Sequence, residues 1–165
     1  MDIEPGEHQV IVERRGTLGA TSNPLSITIT ITAPLLFGAP DLTRLDGSVI
    51  DDFDAATSGE TLTARGTGFG VTDPMIPAGV AASDDARLVA AVQIWVKVRV
   101  NGEYDYREAE VLSTSPSRTD PGVVDVTFVI PKTSDVDKGK GSRAKAYLVV
   151  KAGDNYTTEL PFFVR

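Results

Sequence analysis

Four aspartates, Asp46, Asp51, Asp52 and Asp54, crowd one short stretch of the chain. Hard oxygen ligands on a single loop are what calcium prefers. The glycine of an EF-hand loop follows its first acidic residues, whereas Gly47 precedes most of these. Calcium is therefore the one metal the set would suit, against the ordinary reading of solvated turn residues and strand caps. The pairs Asp84 with Asp85 and Asp135 with Asp137 invite the same ordinary reading. No other cofactor is expected.

Gly66-Thr67-Gly68-Phe69-Gly70 has the look of a phosphate cradle. Such a cradle needs a helix N-terminus directly after the glycines to present amides to the phosphates. Val71-Thr72-Asp73-Pro74 follows instead, so a turn or bulge at a strand end is expected, with Phe69 plugging one end of the core. His8 is the only histidine and cysteine is absent, so any Ser-His-Asp arrangement would have to form around the first strand, and thiolate chemistry is excluded. Glu103, Glu108 and Glu110 lie close enough in sequence to suggest paired carboxylates for glycoside hydrolysis. Strand alternation turns Glu108 and Glu110 to the same face as Tyr104 and Tyr106, which reads as a solvated outer face. Catalytic residues are not expected.

Trp95 stands apart from these. It falls between Gln93 and Lys97 on the polar side of a strand whose other side carries Ile94, Val96 and Val98. An outward tryptophan is the mark of a domain contact or a glycan platform, or of a ring covered by the N-terminal hairpin or a nearby loop. Trp95, Lys97, Arg99, Tyr104 and Tyr106 form the expected interaction set. Asn155-Tyr156-Thr157 matches a glycosylation sequon, at the level of chance.

The elements that must position these residues are short strands. Thr, Val and Ile fill the ordered stretches and Gly, Pro, Asp and Asn fall between them. The clearest strands are 25–32, where Ile27, Ile29 and Ile31 alternate with polar residues, and 92–101. Asn101-Gly102 is a strong hairpin signal leading into a strand at 104–112. Further strands are predicted at 8–14, 60–65, 123–130, 144–151 and 156–164, with one short helix candidate at 84–91 capped by Ser83. Turns every ten or so residues argue for a β-sandwich.

The chain has 165 residues, of which 41% are hydrophobic, enough to bury a core without disulfides or metal. Its net charge is −7 and its longest basic cluster is Lys138, Lys140 and Arg143, so a nucleic-acid partner is disfavoured. No apolar run reaches the roughly 18 residues that span a bilayer. Met1-Asp2-Ile3-Glu4-Pro5 does not resemble a signal peptide and reads as the start of a cut or mature chain.

Residues 10–27 recur without a gap at 147–164: Val12 aligns with Val149, Gly16 with Gly153, Thr21 with Thr158 and Pro24 with Pro161. Two copies of one module are implied, the first represented only by its end. Pro34 then separates a two-stranded segment, 1–33, from a complete set of strands at 34–165. An isolated hairpin is marginal in water, so the first copy must pack on something.

Over residues 33–165 the order of short motifs carries a family resemblance. Ala33-Pro34-Leu35-Leu36-Phe37, Asp46-Gly47-Ser48-Val49, Ser58-Gly59-Glu60-Thr61-Leu62, the Gly66 loop, Asp73-Pro74, Pro77-Ala78-Gly79, Val98-Arg99-Val100-Asn101-Gly102 and Pro121-Gly122 precede Val126-Thr127-Phe128-Val129-Ile130-Pro131. This resembles the Solibacter-type C-terminal domain of bacterial secreted proteins, a relative of the IPT/TIG immunoglobulin-like modules. It departs from that pattern at Val124 and Asp125, where such domains often carry an aromatic residue and Gln. The resemblance implies an all-β, immunoglobulin-like sandwich with an additional N-terminal hairpin that closes a preceding module. It also implies a bacterial, extracellular or cell-surface setting and no assigned catalytic residues.

Three functions follow as expectations. The first is a non-enzymatic spacer, adhesive or assembly module whose partners are neighbouring modules. The second is a filament or shell subunit whose N-terminal hairpin inserts into a copy of itself by β-strand addition. The third is a carbohydrate-binding module using Trp95, Tyr104 and Tyr106, with a glycan or protein as ligand.

Overall fold

A computed structural model describes residues 4–14, 20–38, 40–51, 53–139 and 142–165, and no helix occurs among them. The chain divides into two compact units, Met1–Ile31 and Thr32–Arg165. The division falls two residues before the expected 33/34 boundary because Thr32 belongs to the second unit. Its buried Oγ1 donates to the Ala152 carbonyl (2.8 Å), and Asn155 Nδ2 donates to the Thr32 carbonyl (2.9 Å).

The first unit holds β1 (Gly6–Val10), β2 (Glu13–Arg14), β3 (Ala20–Thr21) and β4 (Leu25–Ile29). They form one long hairpin in which β1 pairs with β4 and β2 with β3, both antiparallel. Between the two pairings the Val12 amide donates to Ser22 Oγ (3.0 Å) and the Ser22 amide donates to the Val12 carbonyl (2.9 Å). Three residues on one strand, 22–24, there oppose two on the other, 11–12, which is a β-bulge held by a hydroxyl.

The second unit is built from β5 (Leu35–Leu36), β6 (Leu42–Arg44), β7 (Thr61–Thr67), β8 (Thr72–Asp73), β9 (Arg87–Leu88), β10 (Val92–Val100), β11 (Glu103–Pro116), β12 (Val123–Val129), β13 (Ala144–Ala152), β14 (Asn155–Tyr156) and β15 (Leu160–Val164). Nine of these make one continuous antiparallel sheet, ordered β14-β13-β10-β11-β12-β7-β5, with β15 also on β13 and β6 also on β7. β11 lets this sheet fold over on itself. Its first half pairs with β10 and its second half with β12, and the register slips between Val111 and Ser113, where Leu112 bulges outward. A bulge bends and twists a strand, so β11 serves both layers of a β-sandwich. At the far edge Ala56 bridges Val164 in parallel, its amide donating to the Phe163 carbonyl (2.9 Å).

The alternation read from the sequence explains the core. Ile94, Val96 and Val98 of β10 face inward against Leu62 and Ala64 of β7, Val126 and Phe128 of β12, and Ala146, Leu148 and Val150 of β13. All are essentially inaccessible to solvent. Asn101 and Gly102 take positive φ (50° and 86°), the turn their sequence predicts, and both their amides donate to the Asp137 carboxylate (2.9 and 2.8 Å).

The helix expected at 84–91 does not form. Asp84 and Asp85 make a turn closed by the Ala86 amide on the Ser83 carbonyl (3.2 Å), and Arg87 and Leu88 then pair with Asp73 and Thr72. A segment this short cannot recover the cost of helix nucleation, and strand pairing supplies its hydrogen bonds instead.

Candidate functional site

Alternation along β10 sends Gln93, Trp95, Lys97 and Arg99 to the outer face of the sheet. Register then decides what stands beside them. Tyr104 of β11 lies opposite Arg99, Tyr106 opposite Lys97 and Glu108 opposite Trp95. From the other side, β13 brings Tyr147 to Lys97, Val149 to Trp95 and Lys151 to Gln93, and β14 brings Tyr156 to Lys151. All four tyrosines and the single tryptophan of the chain therefore share one face of one sheet.

Lys97 is the hub of this face. Its ammonium stands 4.3 Å from the centroid of Tyr104, 5.4 Å from Tyr147 and 5.6 Å from Tyr106, and it pairs with Glu159 at 2.5 Å. The hydrogen bond to Glu159 raises the Lys97 pKa above its ordinary value. An ammonium within about 6 Å of a ring centroid is attracted to the ring, so Lys97 fixes three rings at once. Tyr104 and Tyr147 meet edge to face, 6.4 Å apart and 71° inclined.

Trp95 is half-buried and leans on Tyr156, with centroids 6.0 Å apart and planes at 40°. Between them runs an open groove of about 440 Å3, lined by Trp95, Tyr106, Val149, Tyr156, Thr157 and Glu159. Of the residues expected from sequence, the structure gathers Trp95, Lys97, Tyr104 and Tyr106. Arg99 lies at the rim, its Nε donating to the Gly102 carbonyl (3.0 Å). Tyr147, Tyr156 and Glu159 were not foreseen.

The remaining candidates resolve differently. In the acidic loop, Asp46 Oδ1 accepts from the Ser48 amide (2.9 Å) and hydroxyl (2.7 Å), and Asp51 Oδ1 accepts from the amides of Phe53 and Asp54 (2.7 and 2.8 Å). These bonds hold both carboxyls below their usual range. Asp54 grips Arg44 through both oxygens (2.9 and 3.0 Å), and Arg44 also pairs with Glu60. The carboxylates are turn caps and one end of an ion-pair network. Among the described residues, no three His, Cys, Asp or Glu side chains converge as a metal site would require, and Asp52 lies outside those residues.

The glycine loop serves packing. A Cβ on Gly66 would stand 2.5 Å from the Leu35 carbonyl oxygen, and one on Gly68 (φ 76°) 2.1 Å from that of Ala33. Both glycines admit the chain passing alongside into β5, and Phe69 is buried at that end. The same end holds a cavity of about 430 Å3 whose walls, Phe69, Val71, Met75 and Leu88 among them, include no charged residue. His8 Nε2 donates to the Glu4 carbonyl (2.7 Å) within its own hairpin. In the sequon, Asn155 is engaged with Thr32 and Thr157 is buried.

The two hairpins correct the repeat read from sequence. β13 pairs with β15 from Ala144↔Val164 to Leu148↔Leu160, as β1 pairs with β4 from Gly6↔Ile29 to Val10↔Leu25. β13 pairs with β14 at Lys151↔Tyr156 and Ala152↔Asn155, as β2 pairs with β3 at Glu13↔Thr21 and Arg14↔Ala20. The bulge recurs as well: the Val150 amide donates to Thr157 Oγ1 (3.0 Å) and the Thr157 amide to the Val150 carbonyl (2.8 Å). Val12 thus corresponds to Val150, Thr21 to Tyr156 and Pro24 to Glu159, each shifted from the ungapped alignment. The cause is the spacing of the strands, with five residues between β2 and β3 and two between β13 and β14. Gly16, aligned with Gly153 by sequence, lies outside the described residues.

Compared with protein families, curated proteins and solved structures, the chain matches none.

Proposed function

We propose that this chain is a non-enzymatic, contact-making module of the immunoglobulin-like kind from an extracellular or cell-surface protein. Residues 32–165 are its complete unit, and residues 1–31 are the closing hairpin of a module that precedes it. The observation that carries this reading is the identity of the two hairpins in register, bulge and hydroxyl latch. In the second unit such a hairpin closes a sandwich by burying Ala146, Leu148, Val150, Phe162 and Val164. The equivalent positions in the first are His8, Val10, Val12, Ile27 and Ile29. That row is mostly apolar and, among the described residues of its own unit, no second sheet covers it. Tandem modules acting as spacer, adhesive or assembly element give it one.

A graft tests this directly. Residues 6–30 replace 144–165, with His8→Ala because its equivalent, Ala146, is wholly buried. The chimera unfolds cooperatively if the first hairpin is a closing hairpin, and shows no cooperative transition if it is not. Mass in solution, with and without residues 1–31, separates tandem modules from strand exchange between copies. A monomer in both cases removes the exchange reading, and association that needs residues 1–31 removes the tandem one.

A further inference from the structure

We infer that the outer face of β10, β11, β13 and β14 is a binding site for a neutral polysaccharide, seated in the groove between Trp95, Tyr106 and Tyr156. The inference gives the contact role proposed above a ligand class, and rests on that reading to this extent. The fold itself does not call for these rings. Where the complete unit has Tyr147, Val149, Tyr156 and Glu159, the first hairpin has Gln9, Ile11, Thr21 and Pro24 at the same register positions. Inward positions are apolar in most of both hairpins, whereas the tyrosines and the carboxylate are peculiar to one.

The chemistry of the face selects the ligand. A pyranose ring offers a flat C–H surface to an aromatic face and a rim of hydroxyls to polar neighbours. Trp95 and Tyr156, tilted by 40°, form a trough for the first, and the Glu159 carboxylate lines its edge for the second. The volume, about 440 Å3, is within the usual range for a small-ligand site. The one aliphatic residue among the lining side chains, Val149, is only 9% exposed. An aliphatic protein anchor or lipid chain would therefore find nothing but ring faces and polar edges. The carboxylates beside the trough, Glu108 and Glu159, are balanced by Lys97, which pairs with Glu159, and by Lys151, whose ammonium stands 5.5 Å from the Tyr156 centroid, so the trough carries no excess of either charge and suits a neutral chain. Lys97 already spans Tyr104, Tyr106 and Tyr147, so much of the platform is ordered before any ligand arrives, which lowers the entropy lost on binding.

The full chain carries its own probe, because Trp95 is the only tryptophan and its emission reports this groove alone. The protein is titrated with hexasaccharides of β-linked glucose, xylose, mannose and N-acetylglucosamine, and assayed for retention on insoluble cellulose, xylan, mannan and chitin. The expected result is a saturable change in Trp95 emission with at least one sugar. Tyr156→Ala then weakens that affinity at least about tenfold, the loss of roughly one stacking contact, while Met75→Ala, at the exposed cavity beside Phe69 that shares no lining residue with the groove, leaves it unchanged. Silence across the series with no retention overturns the inference, as does equal affinity in the wild type and Tyr156→Ala. Emission that changes on dilution without sugar assigns the face to self-association and overturns it too. Sugar silence alongside a cooperative hairpin graft sinks the glycan site alone and leaves the module reading standing.

Discussion

The two hairpins share one backbone design and differ in what lies beneath it. Both bend at a hydroxyl latch, Ser22 in one and Thr157 in the other, and both pair in the same register on either side. Yet Leu148 of the second is wholly buried, whereas its counterpart Val10 is 40% exposed. Local chemistry, a bulge latched by a hydroxyl, is thus enough to specify the hairpin, while burial is conferred by the sheet it closes. This comparison makes the largest prediction. Leu148→Ala should cost about 2–5 kcal/mol, the range for removing a buried leucine and leaving a cavity. Val10→Ala should stay within roughly 0.5 kcal/mol, as exposed substitutions do. Chemical denaturation of the full chain measures both. A cost for Val10→Ala near that of Leu148→Ala would mean that the first hairpin is already part of a packed core.

The latches sharpen the same contrast at smaller scale. Thr157 is buried, and its Oγ1 takes up the Val150 amide inside the sheet. Thr157→Val keeps the shape and leaves that amide without an acceptor, a loss of about 1–3 kcal/mol. Ser22→Ala removes the equivalent bond from an exposed site where water replaces the acceptor, so its cost should be a few tenths of a kcal/mol at most. Amide exchange resolves the two. Val150 should lose protection strongly in Thr157→Val, whereas Val12 should exchange at nearly its original rate in Ser22→Ala. Equal losses would show that both latches sit in comparable surroundings.

The sequence declares those features whose causes are local. Ile94, Val96 and Val98 alternate with polar residues, and β10 follows from them. Asn101-Gly102 names its own turn. Trp95, Tyr104 and Tyr106 could be set on one face because a tight hairpin fixes their register. Tyr147 belongs to the same face through a pairing that no short turn dictates, between β10 and β13. Its signal was present in the parity of the strand, since Ala146 and Leu148 point inward and Tyr147 must point out. Tyr156 and Glu159 were hidden by the bulge at Thr157, which breaks that parity. β11 runs on to Pro116, beyond its expected end at 112, for a related reason: the bulge at Leu112 interrupts the alternation without ending the strand. The repeat was visible, but three more residues between the paired strands of the first copy displaced its alignment by one position on one strand and by two on the other.

The smallest prediction concerns charge, which among the described residues divides the two regions as burial does. The ion pairs joining Arg44 to Asp54 and Glu60 lie in the second unit. Burial works to raise the Glu60 pKa, but the Thr57 amide (2.7 Å) and the Arg44 guanidinium outweigh it and hold the carboxyl below its usual value. A carboxylate lowered in this way contributes stability above its unfolded pKa and loses it as pH falls through the folded one. The melting temperature of the second unit should therefore drop on acidification through and below the usual glutamate range. Glu60→Gln should melt lower than wild type at pH 7, yet lose less between pH 7 and pH 3. Grafting residues 6–30 onto the second unit should leave this acid step in place, because β6 and the segment before β7 carry it and neither hairpin does. An acid step that vanished with the graft, or survived intact in Glu60→Gln, would place its origin in the closing hairpin instead.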